Sequence, residues 1–145
     1  MPNIERLAVN DIDRARALFT AIAGVFETET APLSDGYLKR LLVRDDFWAL
    51  AASIEGRIVG GLTAYTLPLT RLEEFEVFVY DIAVLPGHQR QGIGRQLIEA
   101  LRTKASAAGI NLAWVAADNE DTHALDFYKA LGGEPTPVTV FTFAD

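Results

Sequence analysis

The hexapeptide Gln89-Arg90-Gln91-Gly92-Ile93-Gly94 lies between a run of strand-forming residues and a long helix-forming one. At such a junction the first amide hydrogens of the helix have no carbonyl partner within it. They converge at the positive end of the helix dipole, which favours an anion, above all a phosphate. Gly92 and Gly94 carry no Cβ, so phosphate oxygens can come close to the backbone. Arg90 and Arg95 add positive charge, and Gln89 and Gln91 add donors. Two nucleotide motifs are excluded. No Lys-[Ser/Thr] pair ends the run, as a hydrolase P-loop requires, and the third glycine of the dinucleotide fingerprint is absent.

A second group of residues suits proton chemistry on a basic partner. The Tyr128 phenol, with an ordinary pKa of about 10, holds its proton at neutral pH and can give it to a leaving group. Asp81 follows Tyr80 in the middle of a mostly apolar strand, where a charge implies a cleft or a bulge; it can orient or deprotonate an amine. Tyr80 would wall the same place. Asp118, Glu120 and Asp121 fall in one polar loop, and Glu27 and Glu29 in another. Together they would make an acidic lip that draws in a cation. His88 and His123 are the only histidines and lack any metal-ligand spacing, so no metal is expected. His88 reads as a loop donor and His123 as a surface or acceptor-edge residue. The serines at 34, 53 and 106 form no Ser-His-Asp set. With no cysteine in the chain, no thiol can carry a covalent intermediate.

These residues need a scaffold. Ile4–Leu7 reads as an edge strand. Asn10 or Asp11 can cap a helix that buries Ile12, Ala15, Leu18, Phe19 and Ile22. Ser34 or Asp35 caps a second, with Leu38, Leu41 and Leu42 inward. Phe47–Ile54 and Arg57–Tyr65 form a hairpin about Glu55-Gly56, and the Gly60-Gly61 pair inside it signals a bulge or a close approach. Phe75–Leu85 is the strongest strand. A helix from Ile93 to Ala108 turns Ile93, Leu97, Leu101 and Ala105 inward and stops at Gly109. Asn111–Ala117 is the next strand, and residues 75–117 should form a right-handed parallel crossover. Thr122 caps a last helix through Leu131, Gly132-Gly133 ends it, and Val138–Phe143 is expected as a closing strand. The order β-α-α-β-β-β-α-β-α-β predicts an α/β (α+β) fold with mixed strand directions.

Composition narrows the partners. The 145 residues suit a single domain, 1–145, and half of them are apolar. Acidic residues outnumber basic ones by 20 to 13, for a formal charge of −7. That balance excludes a nucleic-acid partner, which needs a basic face, and favours a cationic one. No segment is apolar enough to span a membrane and no signal layout opens the chain, so a cytoplasmic protein is expected.

The motif and order together resemble the GNAT superfamily of N-acetyltransferases, whose signature [Gln/Arg]-x-x-Gly-x-[Gly/Ala] is met by Gln89, Gly92 and Gly94. The resemblance implies the GNAT fold: a mostly antiparallel sheet whose central parallel pair splays into a cleft for acetyl-CoA. It implies that Gln89–Arg95 hold the pyrophosphate and that Ile82, Ala83 and Val84 present their backbone to the pantetheine arm. Closer still is a likeness to the aminoglycoside 3-N-acetyltransferase I subfamily. It is carried by Gly24–Glu27, Gly60–Tyr65, Val79–Val84, His88–Ile93, Ala117-Asp118 and Tyr128–Gly132. Asn119-Glu120 and His123 depart from it. The likeness implies Tyr128 as acid, Asp81 and Asp118 at the acceptor amine, and direct attack in a ternary complex. The acceptor would be a cationic small molecule, an aminoglycoside at its 3-amino group. Other amines stay open: a polyamine, a metabolite, or a protein lysine or N-terminus. So does a non-catalytic CoA-binding protein. A homodimer is a further expectation, with the apolar C-terminal strand either completing the sheet or pairing across the dimer.

Overall fold

The computed structural model describes residues 1–145. Five strands lie in the order in which the chain makes them: β1 (Asn3–Arg6), β2 (Phe47–Ile54), β3 (Arg57–Pro68), β4 (Phe75–Val84) and β5 (Ala113–Val115). Neighbours from β1 to β4 are antiparallel, and β4 and β5 are parallel. The mixed, mostly antiparallel sheet with one parallel pair is the architecture read from the sequence.

Helices cover both faces. β2 is buried almost throughout, and its side chains divide by alternation. Trp48, Leu50 and Ala52 meet Ile93, Leu97, Leu101 and Ala105 of α3 (Ile93–Ala107). Phe47, Ala49 and Ala51 meet Ala15, Leu18 and Ile22 of α1 (Ile12–Val25) and Leu38 and Leu42 of α2 (Asp35–Leu42). The spacing-four stripe predicted for α3 is the stripe that is buried. Gly61 serves the α1 face: a Cβ there would stand 2.3 Å from Leu18 Cδ1 and 2.5 Å from the Leu50 carbonyl. The register slips beside Gly60, where Ala52 pairs with Gly60 but Ser53 pairs with Ile58. The glycine pair thus marks both a close approach and a bulge.

Several elements differ from the sequence reading. β3 runs on to Pro68 because Phe75–Val77 of β4 continue the ladder; the proline stands last, where its missing N–H costs little. β5 is only three residues long. α4 (Thr122–Ala130) is capped by Asp121, whose carboxylate accepts from the Ala124 amide, and not by Thr122. Ser34 does cap α2, its hydroxyl accepting from the Tyr37 amide at 3.2 Å. The expected closing strand, Val138–Phe143, is absent. That segment makes no backbone hydrogen bond and lies in solvent. Strand propensity needs a partner edge to become a strand, and in a single copy of the chain none reaches it. No helix is long and apolar enough to cross a membrane.

Candidate functional site

β4 and β5 pair only from Val77 to Val79 and from Ala113 to Val115. Past that point β4 stays on the β3 ladder as far as Val84, and the chain after β5 leaves it. Between them opens a cleft of about 750 Å³. Ile82, Ala83 and Val84 line one wall, and Ala116, Ala117 and Asp118 face them. The residues of α4, Tyr128 among them, close the side, and Gln89, Arg90, Gly92, Ile93, Gly94 and Arg95 form one end.

That end has the properties of an anion cradle. The amide hydrogens of residues 90–95 meet no acceptor within the protein. Gly92 holds the N-cap of α3 with φ +82°, in the left-handed region that a glycine enters without strain. Arg90 also has positive φ, at 63°. Free amides at a helix N-terminus with two guanidiniums beside them suit a diphosphate. Two details change the residue-level reading. The Gln89 side-chain Nε2 donates to the Val84 carbonyl at 3.0 Å, so it ties the loop to the end of β4. Gly94 lines the cleft and also lies against α4: a Cβ there would stand 3.1 Å from the Phe127 ring. Gln91 is exposed and does not line the cleft. His88 does line it, and its Nδ1 is buried without a partner.

At the far end the cleft meets a second cavity, of about 320 Å³. Phe26, Tyr80 and Asp81 line both. The join is made by a bulge in β4: Thr63 pairs with Asp81 but Ala64 pairs with Val79, leaving Tyr80 as the extra residue. In a regular strand Tyr80 and Asp81 would face opposite ways; the irregularity brings both to the junction. The bulge or cleft inferred from a charge in this strand is therefore both at once. The second cavity is walled by Tyr37, Phe47, Tyr65 and Thr63, and Asp81 is its only carboxylate. Its aromatic rings touch in series, Phe47 to Tyr65 at 5.3 Å and Tyr65 to Tyr80 at 6.1 Å between centroids.

Burial raises the Asp81 carboxyl above the usual aspartate range, as expected of a carboxylate drawn out of water. The Tyr128 phenol is also raised, first by burial and then by the negative charges of Asp121 and Asp81. Tyr128 thus keeps its proton at neutral pH. Tyr65 is raised chiefly by burial.

The remaining acidic candidates separate. Asp118 and Asp121 line the cleft; Glu120 does not. Glu27 and Glu29 line neither cavity. Glu27 instead closes α1: its amide donates to the Gly24 carbonyl and the Thr28 amide to Ala23, with Glu27 itself at φ 55°. This is the paired end bond of a Schellman turn, and it directs Phe26 and Thr28, not the glutamates, to the cavity. Arg16 pins the loop that follows, donating to the Leu33 carbonyl at 3.3 Å and pairing with Asp13 and Asp35. The aromatic wall was missed in the sequence. Its one signal was the shared parity of Thr63 and Tyr65 on a strand opposite Asp81. No three His, Cys, Asp or Glu side chains gather as a metal site would need.

Residues 12–132 match the model of the acetyltransferase (GNAT) family. The [Ribosomal protein bS18]-alanine N-acetyltransferase of Escherichia coli (strain K12) is 33% identical over 73 residues, 50% of this chain and 48% of that one. The chain thus spans about half the length of the curated relatives it matches. The aminoglycoside acetyltransferase meta-AAC0020 from an uncultured soil metagenomic sample, solved in complex with sisomicin, superposes with TM-score 0.93. It is 34% identical and is matched over 99% of this chain and 97% of that one. The aminoglycoside N-acetyltransferase AAC(6')-Iy in complex with CoA has TM-score 0.83 over 99% and 95% of the two chains; at 20% identity it shares the fold.

Proposed function

The chain belongs to the GNAT acetyltransferase family, and on that premise we propose that it moves an acetyl group from acetyl-CoA to a primary amine held in the aromatic cavity. The observation that carries this reading is the set of unbonded amides at 90–95, opening into a cleft that meets a second cavity at Tyr80-Asp81. The cradle would hold the diphosphate, and the unpaired side of Ile82–Val84 would hold the amide-bearing arm. Acetyl-CoA, so bound, supplies an activated thioester.

The protein's own part is then small. Holding amine and thioester in line replaces a bimolecular encounter by a positioned one. Asp81 takes a proton from the acceptor ammonium, which frees the nitrogen lone pair to bond to the thioester carbon; the C–S bond breaks and the nitrogen gives its second proton to solvent. Tyr128 donates to the departing sulfur. No thiol exists to take the acetyl group first, so attack is direct.

For the acceptor we favour an aminoglycoside-like amino sugar, acetylated at its 3-amino group. Full-length likeness to aminoglycoside acetyltransferases at 34–35% identity supports it, and so does an aromatic wall that suits the apolar face of a sugar ring. Asp118 and Asp121 would meet further ammonium groups. A protein amine is the second reading. The curated relatives that act on a ribosomal protein alanine favour it directly, and a single carboxylate in the cavity suits a singly charged N-terminus. Thiol release from acetyl-CoA, measured with aminoglycosides, polyamines and alanine-ended peptides, separates the readings. No release with any amine, despite CoA binding, would leave only a CoA-binding protein. Tyr128→Phe should lower turnover about 10²-fold or more with little change in CoA affinity; an unchanged rate in single turnover removes it from the mechanism.

A further inference from the structure

Thr63 of β3 stands directly opposite Asp81 of β4, in the pair that borders the bulge at Tyr80. Opposite residues of an antiparallel pair point to the same face, with their Cβ atoms about 5 Å apart. Both line the aromatic cavity.

Thr63 is one of only two polar residues buried in the chain, at 9% exposure. Three residues on, Thr66 has a partner: its hydroxyl accepts from the Trp48 indole at 2.8 Å. The Thr63 hydroxyl bonds to nothing in the chain, and no donor of the chain reaches the Asp81 carboxylate. Yet the one side-chain polar atom shut away from solvent without a partner is His88 Nδ1. The Thr63 hydroxyl therefore opens onto the cavity that Thr63 lines. Polar groups so deep in a protein are nearly always paired, and leaving them open costs stability that a ligand can return.

The two groups ask for different partners. An ionised carboxylate only accepts, and its charge calls for an ammonium. A hydroxyl is neutral and both donates and accepts, so it suits a hydroxyl or an ether oxygen. A second ammonium beside Thr63 would be enclosed without its own counter-charge, because Asp81 is the only carboxylate of this cavity. The short gap between the two side chains places the ligand's nitrogen and oxygen on neighbouring carbons.

We propose that Thr63 is a specificity-determining residue: its hydroxyl binds an oxygen on the carbon next to the one bearing the amine that Asp81 holds. The inference rests on reading this cavity as the acceptor site, and it narrows the acceptor to amines with a vicinal oxygen. Amino sugars and aminocyclitols meet that condition; plain alkyl polyamines do not.

The test is a matched pair of probes, trans-2-aminocyclohexanol and cyclohexylamine, which differ by one hydroxyl. Each is titrated into the full chain by NMR with CoA present, which carries no acetyl group and so allows no turnover. The wild type should bind the amino alcohol about fivefold more tightly, as one added hydrogen bond predicts. Thr63→Val keeps the branched shape and should bring the ratio close to one, while Thr63→Ser should restore it. Both variants should melt within a few degrees of the wild type, since neither loses a bond made within the chain. Equal binding of the two probes by the wild type would overturn the proposal, as would a preference that survives Thr63→Val, or no binding of either probe. Thiol release from acetyl-CoA, measured on the same proteins, keeps the two readings apart. The Thr63-dependent preference without release from any amine supports the specificity role and sinks acetyl transfer. Release without the preference sinks the role of Thr63 alone.

Discussion

Replacing Gly94 by alanine separates two roles that the sequence cannot tell apart. In the motif reading, Gly94 is bare so that phosphate oxygens can reach the backbone. In the structure the space beside it is taken by Phe127, whose Cζ and Cε1 would stand 3.1 and 3.2 Å from an added Cβ. Both atoms are at the far end of a side chain, so the ring can retreat by a few tenths of an ångström. Gly94 is the second residue of α3 and does not have positive φ, so alanine gains up to about 1 kcal/mol in helix propensity. Crowding the ring costs about as much or slightly more. The melting temperature should therefore move by roughly 4 °C or less. Turnover should respond more. Phe127 packs edge-on against Tyr128 at 5.1 Å between centroids, and the shift passes to the phenol. At about 100-fold per ångström of misplacement, a few tenths of an ångström predicts roughly fourfold slower transfer. CoA affinity should stay within about twofold, or about 0.4 kcal/mol. Single-turnover transfer, CoA titration calorimetry and thermal melting read the three quantities. Unchanged transfer with CoA binding weakened about tenfold or more, some 1.4 kcal/mol, would refute the packing argument and return Gly94 to the cradle.

The other predictions concern charge and backbone conformation. Asp81→Asn should slow transfer and yet stabilise the fold near neutral pH. Because burial raises the folded carboxyl, the folded chain binds more protons than the unfolded one as pH climbs above the ordinary aspartate pKa of about 3.9, and wild-type stability falls there. The melting-temperature gain of the variant should be absent near pH 3 and grow with pH; a loss at neutral pH would contradict it. Asp121→Asn keeps an N-capping side chain but removes a charge that raises Tyr128. The alkaline limb of the rate profile should move to lower pH, and a fixed limb would mean that Tyr128 does not set it. Glu27→Gly relieves a non-glycine residue at φ 55° and should stabilise by about 1 kcal/mol. It should leave the acceptor KM unchanged; a raised KM would put Glu27 back at the acceptor.

Legibility followed locality. The glycine-rich entrance to α3, its buried stripe and the ends of α3 and α4 could be read because each rests on residues adjacent in sequence. Gly109 and Gly132, one residue past the caps that end α3 and α4, carry the positive φ that such a helix end calls for. The aromatic cavity could not, because Phe26, Tyr37, Phe47 and Tyr65 come from four separate segments and meet only when α1 and α2 pack on the sheet. Glu27 misled for a related reason. Its charge invited an electrostatic role, whereas its position one residue past the α1 cap gave it a conformational one. Val138–Phe143 misled by propensity, which registers the wish for an edge and not its presence.

The cleft itself depends on a competition for β4. From Asp81 to Val84 this strand keeps its ladder with β3. On its other side β5 departs after Val115, so part of the β4 backbone faces the opening without a strand partner. An unpaired strand edge inside a protein is costly unless something polar and extended lies along it. A chain of amide groups ending in a diphosphate would satisfy the exposed edge and the unbonded amides at 90–95 together. The bulge at Tyr80 stands where this edge begins, so an acetyl group at the end of such a chain would lie beside Asp81 and Tyr128. The same departure that opens the cleft would thus set where the proposed transfer happens. That is why a few unpaired hydrogen-bonding groups, and not any single reactive side chain, carry the functional assignment.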